Sequence, residues 1–445
     1  MFDTKVKDSY VTVNPCRLCT PLGASLAFRG IRNCMPLIHG SQGCATYIRR
    51  FLISHFREPM DIASSSFSEE TAIFGGESNL LEAIRNVIKK YNPEVIGIAT
   101  SCLTETIGDD VNLIINRIKK EVPVTLIPVS TPSFKGSHVI GFHDTVNAVV
   151  KTCCLEKGCG SRVFIEPSIL SPADLRHITM ICNLSGIDPV VLPDYSETLD
   201  SGVWNEYTPI PQGGTPVDVI KDAASAESTY IELGSTRENS TGSYLHGKFG
   251  TRYCKLDTPI GIEATDLFLK AISYLSGKEI PQVLQKVRNR CIDSYIDAHK
   301  YLSGIQAVIF GDEDMVPSIA AFCSEVGIIP VLCASEGKIS SEIEMKLSSV
   351  KREHCSVIED ADFDYIEGKI GELQPDIMIG TGKGNHISIK YNIPLVRVGF
   401  PIHDRIGASR MLLCGYDGAM NLLDSIVNVL LAGKQENIPD GYSYL

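Results

Sequence analysis

The stretch SNLLEAIRNVIKKYNPEVIGIAT, residues 78–100, decides the fold. Leu80, Ile84, Val87 and Ile88 fall on one face of a helix, and Ser78 stands before them as a candidate N-cap. Asn92-Pro93 breaks that period, and Val95 to Ala99 follows as an apolar run without polar alternation. A strand of this kind is buried on both faces, so the unit predicts a parallel sheet covered by helices. A helix with Val111, Ile114, Ile115 and Ile118 and a strand at Val124 to Val129 extend it.

Working outward, the pattern restarts twice. Val163 to Ile165 is a short strand, Pro172 opens a helix with Leu175, Ile178, Ile181 and Leu184, and Pro189 to Leu192 is the next strand. The stretch from about Asp200 to Ser243, rich in Gly, Pro, Ser and Thr, reads as an interruption. A third unit starts at Gln306 to Phe310, runs through a helix after Met315 and strands near Val331, Ile377 and Val396, and closes on a helix from Ala419 to Leu431. The expectation is an α/β chain of three Rossmann-like domains with parallel sheets, at residues 1–155, 156–300 and 301–445.

The 445 residues carry 41 Lys and Arg against 53 Asp and Glu, a formal charge of −12, and 44% are hydrophobic. That balance argues against a duplex-binding surface, and no basic patch stands out, so no nucleic-acid partner is expected. No stretch approaches the ~18 consecutive apolar residues of a membrane span, and MFDTKVKDSY has charges where a signal peptide is apolar. A cytoplasmic protein with no membrane partner is expected. In that compartment 15 cysteines do not read as a disulfide scaffold, and metal binding becomes the leading question.

The cysteines divide into two kinds. Cys182, Cys291, Cys323, Cys333 and Cys414 lie within helix or strand patterns and read as small core hydrophobes. Cys19, Cys44 and Cys102 sit instead in the boundary loops NPCRLCTPLGA, HGSQGC and ATSCLTETIGDD, where an α/β sheet places its ligand site. Sulfur ligands select iron–sulfur clusters or zinc. The separations of 25 and 58 residues match neither a zinc knuckle nor a ferredoxin run, so the fold must assemble the site. Three thiols also leave an iron cluster short of a complete ligand set, which implies a ligand from elsewhere or from another chain. Gly40 and Gly43 let backbone approach a sulfide cluster closely. Cys16 and Cys34 lie near these loops and read as supporting or packing residues.

The segments NPCRLCTPLGA, MPLIHGSQGC, HFREP, FGGESNL, TSCLTETIGDD and TPSFKGSHVIG, in that order, resemble the β-subunit of nitrogenase component 1, the dinitrogenase family. LDTPIG, VRVGFPIHDR and GYDGAM resemble its middle and C-terminal motifs, so the likeness spans most of the chain. The resemblance implies the nitrogenase component 1 fold and a role in relaying electrons within a heteromer. It makes Cys19, Cys44 and Cys102 the β-side ligands of an [8Fe-7S] P-type cluster shared with an α-type subunit in an α₂β₂ heterotetramer. Ser133 matches a serine that joins the oxidised cluster, and Phe74 an aromatic residue on the surface that meets an ATP-dependent iron protein. Asp293 and Asp297, four apart on an expected helix, match acidic residues that meet Arg57-Glu58 of a second β-type subunit around a cation; a solvated acidic face is the plain alternative.

What is missing bears on the role. The Cys-His-Arg context in which the family's α-subunit holds its catalytic cofactor is absent: Cys254 stands in TRYCKLD and Cys291 in NRCIDSY. No catalytic residue is therefore expected here. IGTGKGN at Ile379 to Asn385 fails the GxxxxGK[ST] phosphate-loop pattern and reads as a tight turn. Three readings remain within the resemblance: a nitrogenase β-subunit, a methylthio-alkane reductase β-subunit that serves carbon–sulfur cleavage, and a cofactor-assembly scaffold. The complete triad favours a reductase over the scaffold, in which the second and third cysteines are often replaced. Thr20, and the short stretch before Cys19, depart from the commonest molybdenum-enzyme pattern.

Overall fold

The computed structural model describes residues 13–206, 208–234, 240–338 and 355–436. Among them the strands form three sheets, and every strand pair is parallel. The first holds β1 (Cys34–His39), β2 (Ala63–Ser64), β3 (Val95–Thr100) and β4 (Thr125–Val129) in the order β2-β1-β3-β4. The second holds β5 (Val163–Glu166), β6 (Pro189–Val191), β7 (Thr229–Leu233) and β8 (Arg252–Leu256) in the order β6-β5-β7-β8. The third runs β11-β10-β9-β12-β13, from β9 (Gln306–Gly311), β10 (Ile329–Ser335), β11 (Ser356–Ile358), β12 (Ile377–Gly380) and β13 (Leu395–Arg397). No helix among the described residues is long and apolar enough to cross a membrane.

Seven helices belong to the first sheet: α1 (Thr20–Arg29), α2 (Gln42–Phe56), α3 (Glu69–Phe74), α4 (Glu77–Tyr91), α5 (Cys102–Ile107), α6 (Val111–Ile118) and α7 (His138–Cys153). In α4 the apolar residues pack as the period requires, with Leu80, Ala83, Ile84 and Val87 buried against the sheet. Its N-cap is Gly76 rather than Ser78, which lies inside the first turn. The expected interruption from Asp200 to Ser243 contains β7, a fully buried strand beside β5. Its pattern is disguised by Glu232, whose carboxylate accepts bonds from the Ser240 hydroxyl and the Gly242 N–H. The last helix is longer than expected, Gly415–Glu436, and IGTGKGN becomes a single 3₁₀ turn, Gly382–Gly384, running into a short helix.

Helices α1 and α7 meet backbone to backbone. A methyl group at Gly23 would lie 1.7 Å from the His138 carbonyl oxygen, and one at Gly141 would lie 2.0 Å from that of Thr20. Only glycine permits this approach. At the far side, α7 is joined to the ends of the second and third sheets by buried acids. His143 Nδ1 lies 3.0 Å from Glu166 Oε1 and its Nε2 2.9 Å from Asp314 Oδ2, while the Ser137 hydroxyl donates to Glu313 at 2.5 Å. His138 Nδ1 stands 3.6 Å from Glu336 Oε2. Burial pushes Asp312 up to about 7 and Glu313 up to about 8, and raises Glu336 well above the carboxylate range, with Lys383 opposing it.

Two outcomes are expected. Gly141→Ala should destabilise the chain by about 3 kcal/mol through overpacking, lowering the calorimetric midpoint by several degrees. Gly247→Ala, on an exposed helix position with open space around it, should leave the midpoint unchanged or raise it slightly. The second outcome concerns pH. Asp312 and Glu313 titrate near 4 when unfolded and at about 7 and 8 when folded, so across that window the folded state holds more protons. Their contribution is complete below pH 4 and is lost as pH rises toward 8. Denaturant unfolding should therefore show stability falling by a few kcal/mol over that range, and Asp312→Asn with Glu313→Gln should flatten the slope.

Candidate functional site

The first sheet reverses its strand order between β1 and β3: β2 lies outside β1 and β4 outside β3. The loops leaving the carboxyl ends of β1 and β3 diverge there, which opens a crevice at the strand ends. His39 and Thr100 end the two strands in register. Cys44 lies in the first turn of α2, after β1, and Cys102 opens α5, after β3. The loops touch, since a methyl at Gly40 would come 2.3 Å from Ser101 Oγ. Cys19 is the N-cap residue of α1.

All three cysteines thus stand at helix N-termini, where free N–H groups and the helix dipole offer positive partial charge. The local bonds agree. The Ser133 N–H donates to Cys102 Sγ at 3.2 Å, and the Ser41 hydroxyl lies 3.6 Å from Cys44 Sγ. The Ser133 loop is fixed from two sides. Thr131 exchanges bonds with Thr100 at 2.9 and 2.8 Å, and the Thr20 hydroxyl, beside Cys19, donates to the Gly136 carbonyl at 2.9 Å. Cys102 is exposed and Cys19 and Cys44 are half-buried. Among the described residues no three His, Cys, Asp or Glu side chains gather to hold a single metal ion. The surroundings are apolar and open, with Phe134 63% exposed and Tyr47 and Leu103 also exposed.

Serine 133 therefore reaches Cys102 through its backbone, and its own side chain is half-buried beside that sulfur. Cys34 is buried within β1. Cys16 is not beside the cysteine loops. It packs in the core of the third sheet, where burial raises its thiol far above the ordinary range. Lys383, from the turn once suggestive of a phosphate loop, donates to the carbonyls of Pro15 and Cys16 at 2.8 and 2.9 Å. Its ammonium is a structural tie for the approach to Cys19.

Phe74 ends α3 with 81% of its surface exposed, next to Ile73 at 76%. Asp293 and Asp297 lie exposed on the helix Gln282–Leu302. Arg57 caps α2 and donates to the His403 carbonyl at 3.1 Å, and both Glu58 oxygens accept from Ser201 at 3.2 Å. Partial burial raises the Glu58 carboxyl. Within one chain the acidic pair and the Arg-Glu pair are not gathered about an ion.

Sequence reasoning missed His39 and Asp109. His39 is fully buried at the end of β1, with Nδ1 2.9 Å from Ser65 Oγ and Nε2 3.3 Å from Asp109 Oδ2. Burial pulls its pKa down to about 4 against the pull of Asp109, so the ring is neutral at neutral pH. The only signal was that Asp109 sits in the TIGDD turn just after α5, on the Cys102 loop itself.

Residues 19–431 match the family model described as nitrogenase component 1 type oxidoreductase. The chain is 36% identical over 434 residues to the nitrogenase molybdenum-iron protein beta chain of Clostridium pasteurianum, covering 96% of this chain and 94% of that one. It is 35% identical over 447 residues to the nitrogenase vanadium-iron protein beta chain of Trichormus variabilis, covering 96% of each. Among solved structures, nitrogenase Cp1 at pH 6.5 matches with a TM-score of 0.94 and 34% identity, covering 99% of this chain and 98% of that one. A chain of nitrogenase Cp1 at pH 5 matches at a TM-score of 0.72 and 16% identity, a likeness of fold alone.

Proposed function

The chain belongs to the nitrogenase component 1 type oxidoreductases, and from that premise we propose that it is the β-type subunit of a nitrogenase or nitrogenase-like reductase in the cytoplasm. In this reading Cys19, Cys44 and Cys102 hold one half of an [8Fe-7S] P-type cluster, and an α-type subunit supplies the other half within an α₂β₂ assembly. Such a cluster, when bound, stores and releases single electrons on their way from an ATP-dependent iron protein to the α-subunit's cofactor. The three sheets serve as domains at 1–155, 156–300 and 301–445.

The observation that carries the reading is the placement of the thiols. Cys44 and Cys102 begin the helices that follow neighbouring β1 and β3, Cys19 precedes α1, whose Thr20 is bonded to the loop carrying Ser133, and Cys102 accepts that loop's backbone N–H. These residues fit a sulfide cluster in chemistry: soft donors at helix N-termini, and an N–H that withdraws charge from sulfur and so tunes a potential. Exposed Phe134, Leu103 and Tyr47 around an exposed thiol suit a face covered by a partner chain. Ser133 is a further ligand for the oxidised cluster, and Phe74 is where the iron protein docks. Substrate choice belongs to the α-subunit's cofactor, so assaying the purified complex with dinitrogen and with a methylthio-alkane separates those two reactions. A complex that reduces neither and releases a precursor cluster would instead be the assembly scaffold.

The decisive experiment replaces Cys44 by Ala in the complex purified without oxygen. Iron content per complex should fall and reduction should slow, because an iron site loses its thiolate. Unchanged iron and turnover would refute the cluster assignment.

The proposal extends to a cation at the β–β contact, with Asp293 and Asp297 of one subunit facing Arg57-Glu58 of the other. Oxygen ligands from two chains on one hard cation would tie the dimer of αβ units. Asp293→Asn with Asp297→Asn should then halve the mass of the assembly on dilution, and a chelator should do the same to the native complex. Light scattering at decreasing concentration reads this, and a tetramer that survives both treatments leaves the pair as a solvated helix face.

A further inference from the structure

The exposed aromatic at Phe74 and the cysteine loops are joined by one carboxylate. Helix α3 ends at Phe74 and is followed by Gly75, at a φ of 92°, and Gly76. Among the described residues of α3 only Thr71 is buried, so the packed sheet constrains this helix weakly. At its C-terminal end the Gly76 N–H donates to Asp109 Oδ2 at 2.9 Å. A side chain at Gly76 has no room: its Cβ would lie 2.5 Å from the same Asp109 oxygen and 2.4 Å from the Phe67 ring.

The same Oδ2 atom faces His39 Nε2 at 3.3 Å, without the alignment of a hydrogen bond. His39 is where both cysteine loops begin. Its carbonyl accepts from the Ser101 N–H at 3.0 Å and from the Thr104 hydroxyl, so it holds the first turn of the Cys102 helix. The next residue, Gly40, starts the loop to Cys44 and is itself pinned, its N–H to Ser65 Oγ at 2.9 Å and its carbonyl from Ser64 Oγ and the Phe67 N–H at 3.0 Å each. Phe67 closes the circuit with its ring edge-on to the His39 imidazole at 4.9 Å. At 3.3 Å the contact between Asp109 and His39 is within bonding distance and short only of alignment, so a small movement of the Gly75-Gly76 joint that turns the carboxylate changes its strength.

We propose that Asp109 is a positioning residue that couples the partner protein's occupation of the Phe74 face to the geometry of the Cys44 and Cys102 loops. The inference rests on the docking role proposed for Phe74. In it, pressure on α3 is transmitted through Gly76 to the Asp109 carboxylate, and from there to the His39 ring and the two strand ends. The link is short, polar and buried at its inner end, as a positional coupling requires.

The test uses the complete complex with its α-type partner and the ATP-dependent iron protein as donor. The rate of cluster reduction is followed by stopped flow at increasing donor concentration, and compared with reduction by a small-molecule reductant that does not dock. For Asp109→Ala the rate at saturating donor should fall about tenfold, within the range of couplings between sites. Iron content, the half-saturating donor concentration and reduction by the small molecule should stay at native values. Asp109→Asn keeps an oxygen for the Gly76 N–H, so it should lose about threefold. Phe74→Ala should raise the half-saturating concentration instead. A native saturated rate in either Asp109 variant overturns the coupling, as does an equal loss with the small molecule, or a loss of iron. If Phe74→Ala leaves the half-saturating concentration unmoved, the docking reading itself fails and this proposal with it; if Phe74→Ala behaves as expected and Asp109→Asn does not, only the coupling fails.

Discussion

The contact of α1 with α7 at Gly23 and Gly141 sets the rest of the site. Each glycine lies against a carbonyl of the other helix, so the two backbones can neither slide nor separate without opening a void. What this fixes is what precedes each helix: Cys19 before α1, and the loop with Ser133 before α7. The Thr20 hydroxyl adds a bond to the Gly136 carbonyl across the same seam. Cys19 and the Ser133 loop are thereby placed by packing and by that bond together.

The strand reversal does the same for the other two cysteines. In a parallel sheet all strand ends of one kind lie on one edge, and every following helix begins there. Thiols at the starts of α2 and α5 consequently share a side, with the positive ends of their helices turned the same way. Proximity of Cys44 and Cys102 follows from β1 and β3 being neighbours in register. Cys44 and Cys102 stand 58 positions apart because the rest of α2, then β2, α3, α4 and β3, come between them.

What the sequence disclosed followed from periodicity. The helices around Leu80 to Ile88 and Val111 to Ile118, and the buried strand Val95 to Ala99, are legible because one face, or both, is apolar throughout. The loop cysteines were legible by their boundary positions, and the family by its motifs. β7 was not, because Glu232 and the glycine-rich flank mask a buried strand whose acid is satisfied by Ser240 and Gly242. Cys16 is the packing residue that was one of its two readings, but in the core of the third sheet, because closeness to Cys19 in sequence says nothing of where its side chain turns. The acids of FGDEDM and the Asp109 bridge depend on which strand ends meet, information that no local pattern contains.

The approach to Cys19 is fastened at the opposite end of the chain. Asn14 accepts from the Phe363 N–H, Cys16 donates to Ala361, Asp362 takes the N–H groups of Val13 and Asn14, and Lys383 closes over Pro15 and Cys16. During synthesis these partners emerge some 350 residues after Cys19. At ~5–20 residues per second the delay is roughly 15 to 70 s, during which α1 exists without its anchor. Cys19, made among the first residues of the chain, is accordingly among the last to have its approach fixed.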